Sequence, residues 1–344
     1  MSTKTLLSYG LWISFSILIG VFLSFVLIKT VRVSYDYSVN TFGSVMFNFI
    51  SPKGETPSIV YQKNKEPKEI SLVFVGDIML DRGVKKSVIK NFNGDFSFLF
   101  QKVDFLKNAD ISFGNLEGPI SNTGKNLGNL YSFRMDPAAS SALKEAGFDV
   151  LSIANNHIGD WGRKAFEDTI LNLKNKNIEP CGEKTEPAII EKNNLKIGFL
   201  CFSDVGPNWL KAKGNDSGIL IVDDSLGETI KNASSKVDFL IVSFHFGEEY
   251  KKEYNKRQEY LSHLAIDNGA KIVIGHHPHV IQDTEFYKDG LIAYSLGNFI
   301  FDQNFSEETM KGLVLRIIIS ENNIKSVDKK IIKINKFYQP EYEN

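Results

Sequence analysis

Five of the six histidines in this chain of 344 residues stand where an apolar run gives way to polar residues. Residues 150–154 run into Asn155-Asn156-His157, and residues 239–244 run into His245. Residues 271–274 run into Gly275-His276-His277-Pro278-His279. Two further runs end in acids or amides: residues 70–75 in Gly76-Asp77, and residues 109–113 in Gly114-Asn115-Leu116-Glu117. Imidazole, carboxylate and amide carbonyl without thiolate form a donor set that suits zinc, manganese or iron better than copper(I) or an iron–sulfur cluster. His277 and His279 lie two apart, so an extended backbone turns both to one side, and Pro278 favours an extended His277. The same alternation turns His276 away from them. The sixth histidine, His263, falls in a helix-like stretch and reads as an ordinary helix residue. Each feature alone has a plain explanation, since Gly-Asp closes many turns and Asn tolerates left-handed backbone. Five of them in order, each ending its own apolar run, is poorly explained by coincidence.

The elements that must position these residues are short β-branched or aromatic strands alternating with helix-like stretches at 137–146, 163–176 and 255–268. That alternation predicts an α/β sheet, and ligands gather at the carboxyl ends of strands in such sheets. Later strand-like segments at 291–296, 312–319 and 324–334 favour two packed sheets over one.

Residues 5–28 contain no charged side chain. About twenty apolar residues cross a hydrocarbon core of roughly 30 Å, and no small-residue cleavage site follows. Residues 1–32 are therefore expected to form an uncleaved N-terminal transmembrane anchor, with the remaining chain on the extracytoplasmic face of the cell membrane. Residues 33–69, broken by Pro52, Pro57 and Pro67, read as a polar linker; residues 70–335 form the domain and 336–344 a tail. The net charge of −1 and the lack of a basic patch argue against nucleic acid. Cys181 and Cys201 are too few for a disulfide framework; they form either one bridge or two buried thiols.

Gly76-Asp77, Asn115-Leu116-Glu117-Gly118, Ala154-Asn155-Asn156-His157, His245, His277-Pro278-His279 and Tyr294-Ser295-Leu296-Gly297-Asn298-Phe299 resemble the CapA-type poly-γ-glutamate capsule biosynthesis proteins. That family is similar to the calcineurin-like metallophosphoesterases. The resemblance runs from about residue 70 to about residue 302 and implies a four-layer α/β/β/α sandwich carrying one or two divalent metal ions. By motif, Asp77 and His279 would hold one metal, and Asn156, His245 and His277 the other, with Glu117 bridging. His157 would be the general acid for in-line displacement at phosphorus. Around them, Arg82, Asn115, Asn155, Asp160 and Asn298 are candidates for contacting substrate or supporting the ligands. Two departures weaken the first metal position: Met79 stands where the superfamily usually has histidine, and Asn115 where it usually has aspartate. The resemblance implies a hydrolase acting on a phosphoester or on the anionic polymer. It equally allows a polymer-binding subunit beside a membrane synthase or exporter complex.

Overall fold

A computed structural model describes residues 69–214 and 216–343. The expected anchor and almost all of the expected linker lie outside the described residues. Among the described residues no helix is long and apolar enough to cross a membrane.

The first strand, β1 (Glu69–Ile78), is buried at every position but its first. Its near-continuous apolar sequence suits a strand covered on both faces. Through the chain follow α1 (Arg82–Phe92), β2 (Ile111–Leu116), α2 (Ala138–Ala146), β3 (Val150–Ser152), α3 (Gly162–Lys174) and β4 (Glu179–Cys181). Next come β5 (Ala188–Lys192), β6 (Leu195–Ser203), α4 (Leu226–Ser234), β7 (Phe239–His245), α5 (Lys256–Asp267) and β8 (Ile272–His276). The last strands are β9 (Thr284–Tyr287), β10 (Gly290–Ala293), β11 (Asn298–Ile300), β12 (Lys311–Ser320), β13 (Asn323–Ile334) and β14 (Pro340–Tyr342). One sheet has the order β14-β13-β12-β1-β2-β3-β4, with β11 also pairing β1; the other is β5-β6-β7-β8-β10-β9.

The sheets pack face to face. Phe113 of β2 stacks on Phe199 of β6 with ring centroids 5.5 Å apart. Burying one such ring is worth about 1.5–3 kcal/mol. Strand β7 displays the two-residue period directly. Phe239 and Ile241 join the core shared with the first sheet, whereas Leu240, Val242 and Phe244 join a second core. That second core takes Leu226 and Ile230 from α4 and Leu261 and Ala265 from α5. Helices α1, α2 and α3 bury Val84, Leu143 and Phe166 in the larger core. Two central sheets with helices on their outer faces give the expected α/β/β/α layering. Helices α1 and α4 were not among the expected helical stretches, and residues 336–344, expected as a tail, carry the edge strand β14.

Parallel pairing sets the functional edge. Register places Asp77 opposite both Asn115 and Asn298, and His245 opposite His276. Gly76 makes the approach of Asn298 possible. A Cβ there would lie 2.0 Å from the carbonyl oxygen of Gly297, so only glycine lets Asp77 N donate to that oxygen at 3.0 Å.

Cys181 and Cys201 form a disulfide, resolving the alternative left open by their number, with Cα atoms 5.5 Å apart. Both sulfurs are buried. The bond joins β4 of one sheet to β6 of the other, across a sequence separation of 20. Closing a loop of this length removes about 3 kcal/mol of unfolded-chain entropy. The variant with both cysteines replaced by serine is expected to lose about that much stability, read as a lower urea midpoint; an unchanged midpoint would mean that the crosslink constrains nothing.

Candidate metal centre

The carboxyl-end residues of both sheets converge on one buried cluster. Asp77, Glu117, His245 and His279 are at most 2% exposed, and His277 is 7% exposed. Asp77, Glu117 and His245 each offer a ligand atom, and these three atoms lie within 4.8 Å of one another. A second such group is made by Glu249, His277 and His279. The two groups adjoin: His279 Nδ1 lies 3.3 Å from Asp77 Oδ2, and its Nε2 lies 3.5 Å from Glu117 Oε1. The rings of His245 and His277 are 4.8 Å apart. Asn156 joins them, its Oδ1 accepting a hydrogen bond from His245 Nε2 at 2.8 Å. The six residues carried over as ligands thus come together, although the grouping differs from the expected one. His277 falls with His279, and Asp77 with His245.

A chain of amides fixes the geometry. Asn155 accepts from His157 N at 3.2 Å and donates to Leu116 O at 2.8 Å, so its amide has one orientation. Its Nδ2 also donates to Asn115 Oδ1 at 3.1 Å, which orients the second amide in turn. Asn115 Nδ2 then faces the cluster and donates to Asp77 Oδ1 at 2.8 Å, with Glu117 Oε2 at 3.4 Å and His245 Nδ1 at 3.3 Å. With its carbonyl oxygen held by Asn155, Asn115 presents hydrogens rather than a lone pair. That leaves Glu117 as the carboxylate of this strand end. Asn298 supports the other side, accepting from His279 Nδ1 at 3.0 Å. Beside the cluster, half-buried His157 donates from Nδ1 to Asp160 Oδ2 at 2.9 Å. The fully buried Asp160 is held in turn by Phe133 N and Asn129 Nδ2, each at 2.8 Å. His157 therefore keeps Nε2 as its free ring nitrogen.

Two expectations need correction, and one candidate is placed by an ion pair. His277 and His279 are not extended; their φ angles are 97° and 58°. The loop, rather than strand alternation, presents the two imidazoles, and Pro278 does not enforce an extended His277. His276 does not point out of the site. It is buried with Nδ1 3.2 Å from Asp77 Oδ1, off-line for a hydrogen bond, so neither ring nitrogen has a partner. Arg82 does not reach the cluster as a free cation. Its Nε donates to Asp302 Oδ2 at 3.2 Å and its Nη2 pairs with Oδ1 of the same carboxylate. Its guanidinium lies over Phe133 and Phe301, rings that also contact His157 and His279. The residue that sequence reasoning missed is Glu249, in the loop after β7. The available signal was the pair Glu248-Glu249 closely following a strand-end histidine.

The donor set fits a divalent cation. Glu117 Oε1 and His277 Nδ1 are buried without any hydrogen-bond partner, a costly arrangement unless something else fills the coordination. Electrostatics prepare part of the set, Asp77, His245 and His277, in the proton-free form that ligates a cation. Burial would raise the Asp77 carboxyl, but the adjacent His276 and His279 outweigh it and hold it well below the usual range. Burial pushes Glu117 well above the ordinary glutamate range; His279 opposes this, while Asp77 and Glu249 add to it. His277 is driven down to about 3 by burial and by the charge of His279. His245 is lowered mainly by burial and then by His277. His279 goes the other way, up to about 9, because Glu117 and Asp77 outweigh its burial.

The chain is thus a two-sheet α/β domain with an oxygen and nitrogen donor cluster at its strand ends. Residues 71–303 match the family described as bacterial capsule synthesis protein PGA_cap. The chain belongs to that family, as its motifs led us to expect. It is 34% identical over 276 residues to the capsule biosynthesis protein CapA of Bacillus anthracis, covering 75% of this chain and 66% of that one. It is 33% identical over 281 residues to the PGA biosynthesis protein CapA of Bacillus subtilis, covering 78% and 73%. Among solved structures, a phosphatase from Mycoplasma pneumoniae aligns with a TM-score of 0.47 at 14% identity, over 78% of this chain and 94% of that one. The NAD nucleotidase of Haemophilus influenzae aligns with a TM-score of 0.45 at 13% identity, over 81% and 54%.

The titrations set a stability profile for the chelator-treated protein. His245 and His277 stay neutral when folded but protonate in the unfolded chain below about pH 6.5. Stability therefore falls with pH from there down, each histidine contributing about 1.4 kcal/mol per pH unit. His279, with its folded value raised, contributes stability that is fully present below about pH 6.5 and lost as pH rises through about 9. Urea midpoints are expected to peak near pH 6.5. His277→Gln should flatten the acid limb, and a variant profile parallel to that of the unmodified protein would contradict the assignment.

Proposed function

We propose that the domain is a metal-dependent hydrolase of the phosphoesterase type serving the making or export of an anionic surface polymer. The observation that carries this reading is the juxtaposition of His157, oriented by buried Asp160, with the buried donor cluster. Asp77, Glu117, Asn156, His245, His277 and His279 would hold one or two divalent cations, with manganese, zinc or iron suiting the donors. Cations there would supply Lewis acidity, neutralising charge on the phosphoryl, attacking and leaving oxygens.

The chain's own residues would do the rest. Asp160 fixes the His157 tautomer with the proton on Nδ1, so that a proton carried on Nε2 is the one available to a leaving oxygen. Asn115 and Asn298 hold Asp77, His245 and His279 in place. Phe133 and Phe301 exclude water from one side.

We further propose that the substrate is poly-γ-glutamate or a phosphoester of its assembly. The B. subtilis relative, by its description, serves PGA biosynthesis. Membrane attachment is supported by the uncharged residues 5–28, and a large domain after a single N-terminal anchor is read as extracytoplasmic. The Cys181–Cys201 bond supports that placement too, since such bonds persist in oxidising compartments. A synthase or exporter complex in the same membrane would be the natural partner. A second reading, a polymer-binding subunit without turnover, is favoured by one observation: Asn115 turns hydrogens, not a lone pair, into the cluster.

Manganese-loaded protein is expected to turn over phosphodiesters or polyglutamate. His157→Ala should slow esters with alkyl leaving groups by about 10²–10³-fold. Esters of p-nitrophenol, which leave without protonation, should be slowed far less, and metal content should not change. Absence of turnover across phosphomonoesters, phosphodiesters and polyglutamate would favour the binding reading.

A further inference from the structure

We infer that Glu249 is a metal ligand, placing a cation on the His277–His279 side of the cluster that is separate from the one on the Asp77–Glu117–His245 side. This rests on the reading of the cluster as a metal centre and adds a residue that no motif supplied.

Three observations carry the assignment. First, the carboxylate of Glu249 and the imidazoles of His277 and His279 present ligand atoms within 4.8 Å of one another. Two imidazoles and one carboxylate with further positions open form a donor set that holds zinc or iron(II). Second, His277 Nδ1 is buried with no partner. A ring nitrogen shut away from water and protein alike is costly unless a ligand meets it. Third, the loop bearing Glu249 is fastened to the loop bearing the histidines. Tyr250 N donates to Pro278 O at 2.8 Å, and the Tyr250 ring lies over His279 with centroids 6.1 Å apart. One backbone hydrogen bond thus sets Glu249 against the residues flanking Pro278.

Charge balance gives a reason for the third carboxylate. Asp77 and Glu117 supply two negative charges against the four positive charges of two divalent cations. Position 79, two residues beyond Asp77, holds methionine, which offers no hard donor. Glu249 adds a charge where the cluster lacks one, from a loop rather than from a strand end. A loop-borne ligand can approach after the rest of the site has folded.

The test is metal stoichiometry in the whole purified chain, equilibrated with manganese(II) and measured by elemental analysis, with electron paramagnetic resonance on the same samples. The expected result is two equivalents and an exchange-coupled spectrum for the unmodified protein. Glu249→Ala should keep one equivalent, with the six-line signal of an isolated ion, while circular dichroism stays unchanged. His245→Ala should lose the other equivalent. If Glu249→Ala retains two equivalents and the coupled spectrum, the assignment is overturned and the metal centre stands. If the unmodified protein takes up one equivalent and Glu249→Ala keeps it, the assignment is overturned in the same way. If the unmodified protein takes up none, the metal centre and the assignment fall together.

Discussion

A carboxylate at the end of a strand covered on both faces has no access to water, and Asp77 is such a group. Ionised and unpaired, it would cost several kcal/mol. Everything around it offsets that cost. Asn115 donates to one oxygen, the backbone N–H of His277 lies 3.3 Å from the other, and His276 and His279 stand against both. The neighbours are placed by the strands themselves, because parallel register brings Asn115 and Asn298 alongside Asp77. The backbone contact of Gly76 with Gly297 is part of this constraint. A side chain at position 76 would push β11 away and take Asn298, and with it the support of His279, out of place.

The same requirement explains why amides are as prominent here as acids. Asn155 and Asn115 pass a single orientation inward from Leu116 O and His157 N to the cluster. Neither amide adds charge, so they organise a crowded site without further desolvation of ions. Replacing Asn115 by aspartate would place a third carboxylate beside Asp77 and Glu117. It would also repel Glu117, which burial already presses toward its neutral form.

Much of this was legible in the sequence, because each strand end interrupts an apolar run with residues that an ordinary turn does not need. Asp77, Glu117, Asn156, His245, His277 and His279, which the fold brings together, are singled out in that way or through the motifs that contain them, and the two-sheet layering is legible in the same strands. What escaped depends on contacts with no local signature. Glu249 lies in an exposed, charged loop that reads as solvated, and tertiary contacts such as the hydrogen bond from Tyr250 to Pro278 bring its carboxylate within reach of His277 and His279. Arg82 meets Asp302 across 220 residues of sequence, a pairing that neither residue announces. The positive φ of His277 violates the preference of a residue before proline. Tertiary structure there overrides a local rule, as it often does where a backbone is held for chemistry. For the same reason His276, judged by strand alternation to face away, lies against Asp77.

The cluster draws its ligands from both sheets, and this ties chemistry to packing. Asp77, Glu117 and Asn156 lie at or just after strand ends of the first sheet, while His245, Glu249, His277 and His279 lie at or after strand ends of the second. Sliding one sheet over the other by a fraction of a strand spacing would separate His245 from Asp77 and Glu117, and His279 from its contacts with both carboxylates. The Phe113–Phe199 stack and the Cys181–Cys201 bond both cross that interface. They oppose such sliding without touching the cluster. By linkage, a cation bound across the interface must stabilise the packing as much as the packing favours the cation. The disulfide is then an element of site geometry as well as of stability. An oxidising compartment would preserve both together, whereas a reducing one would leave the alignment of the ligands to the apolar core alone.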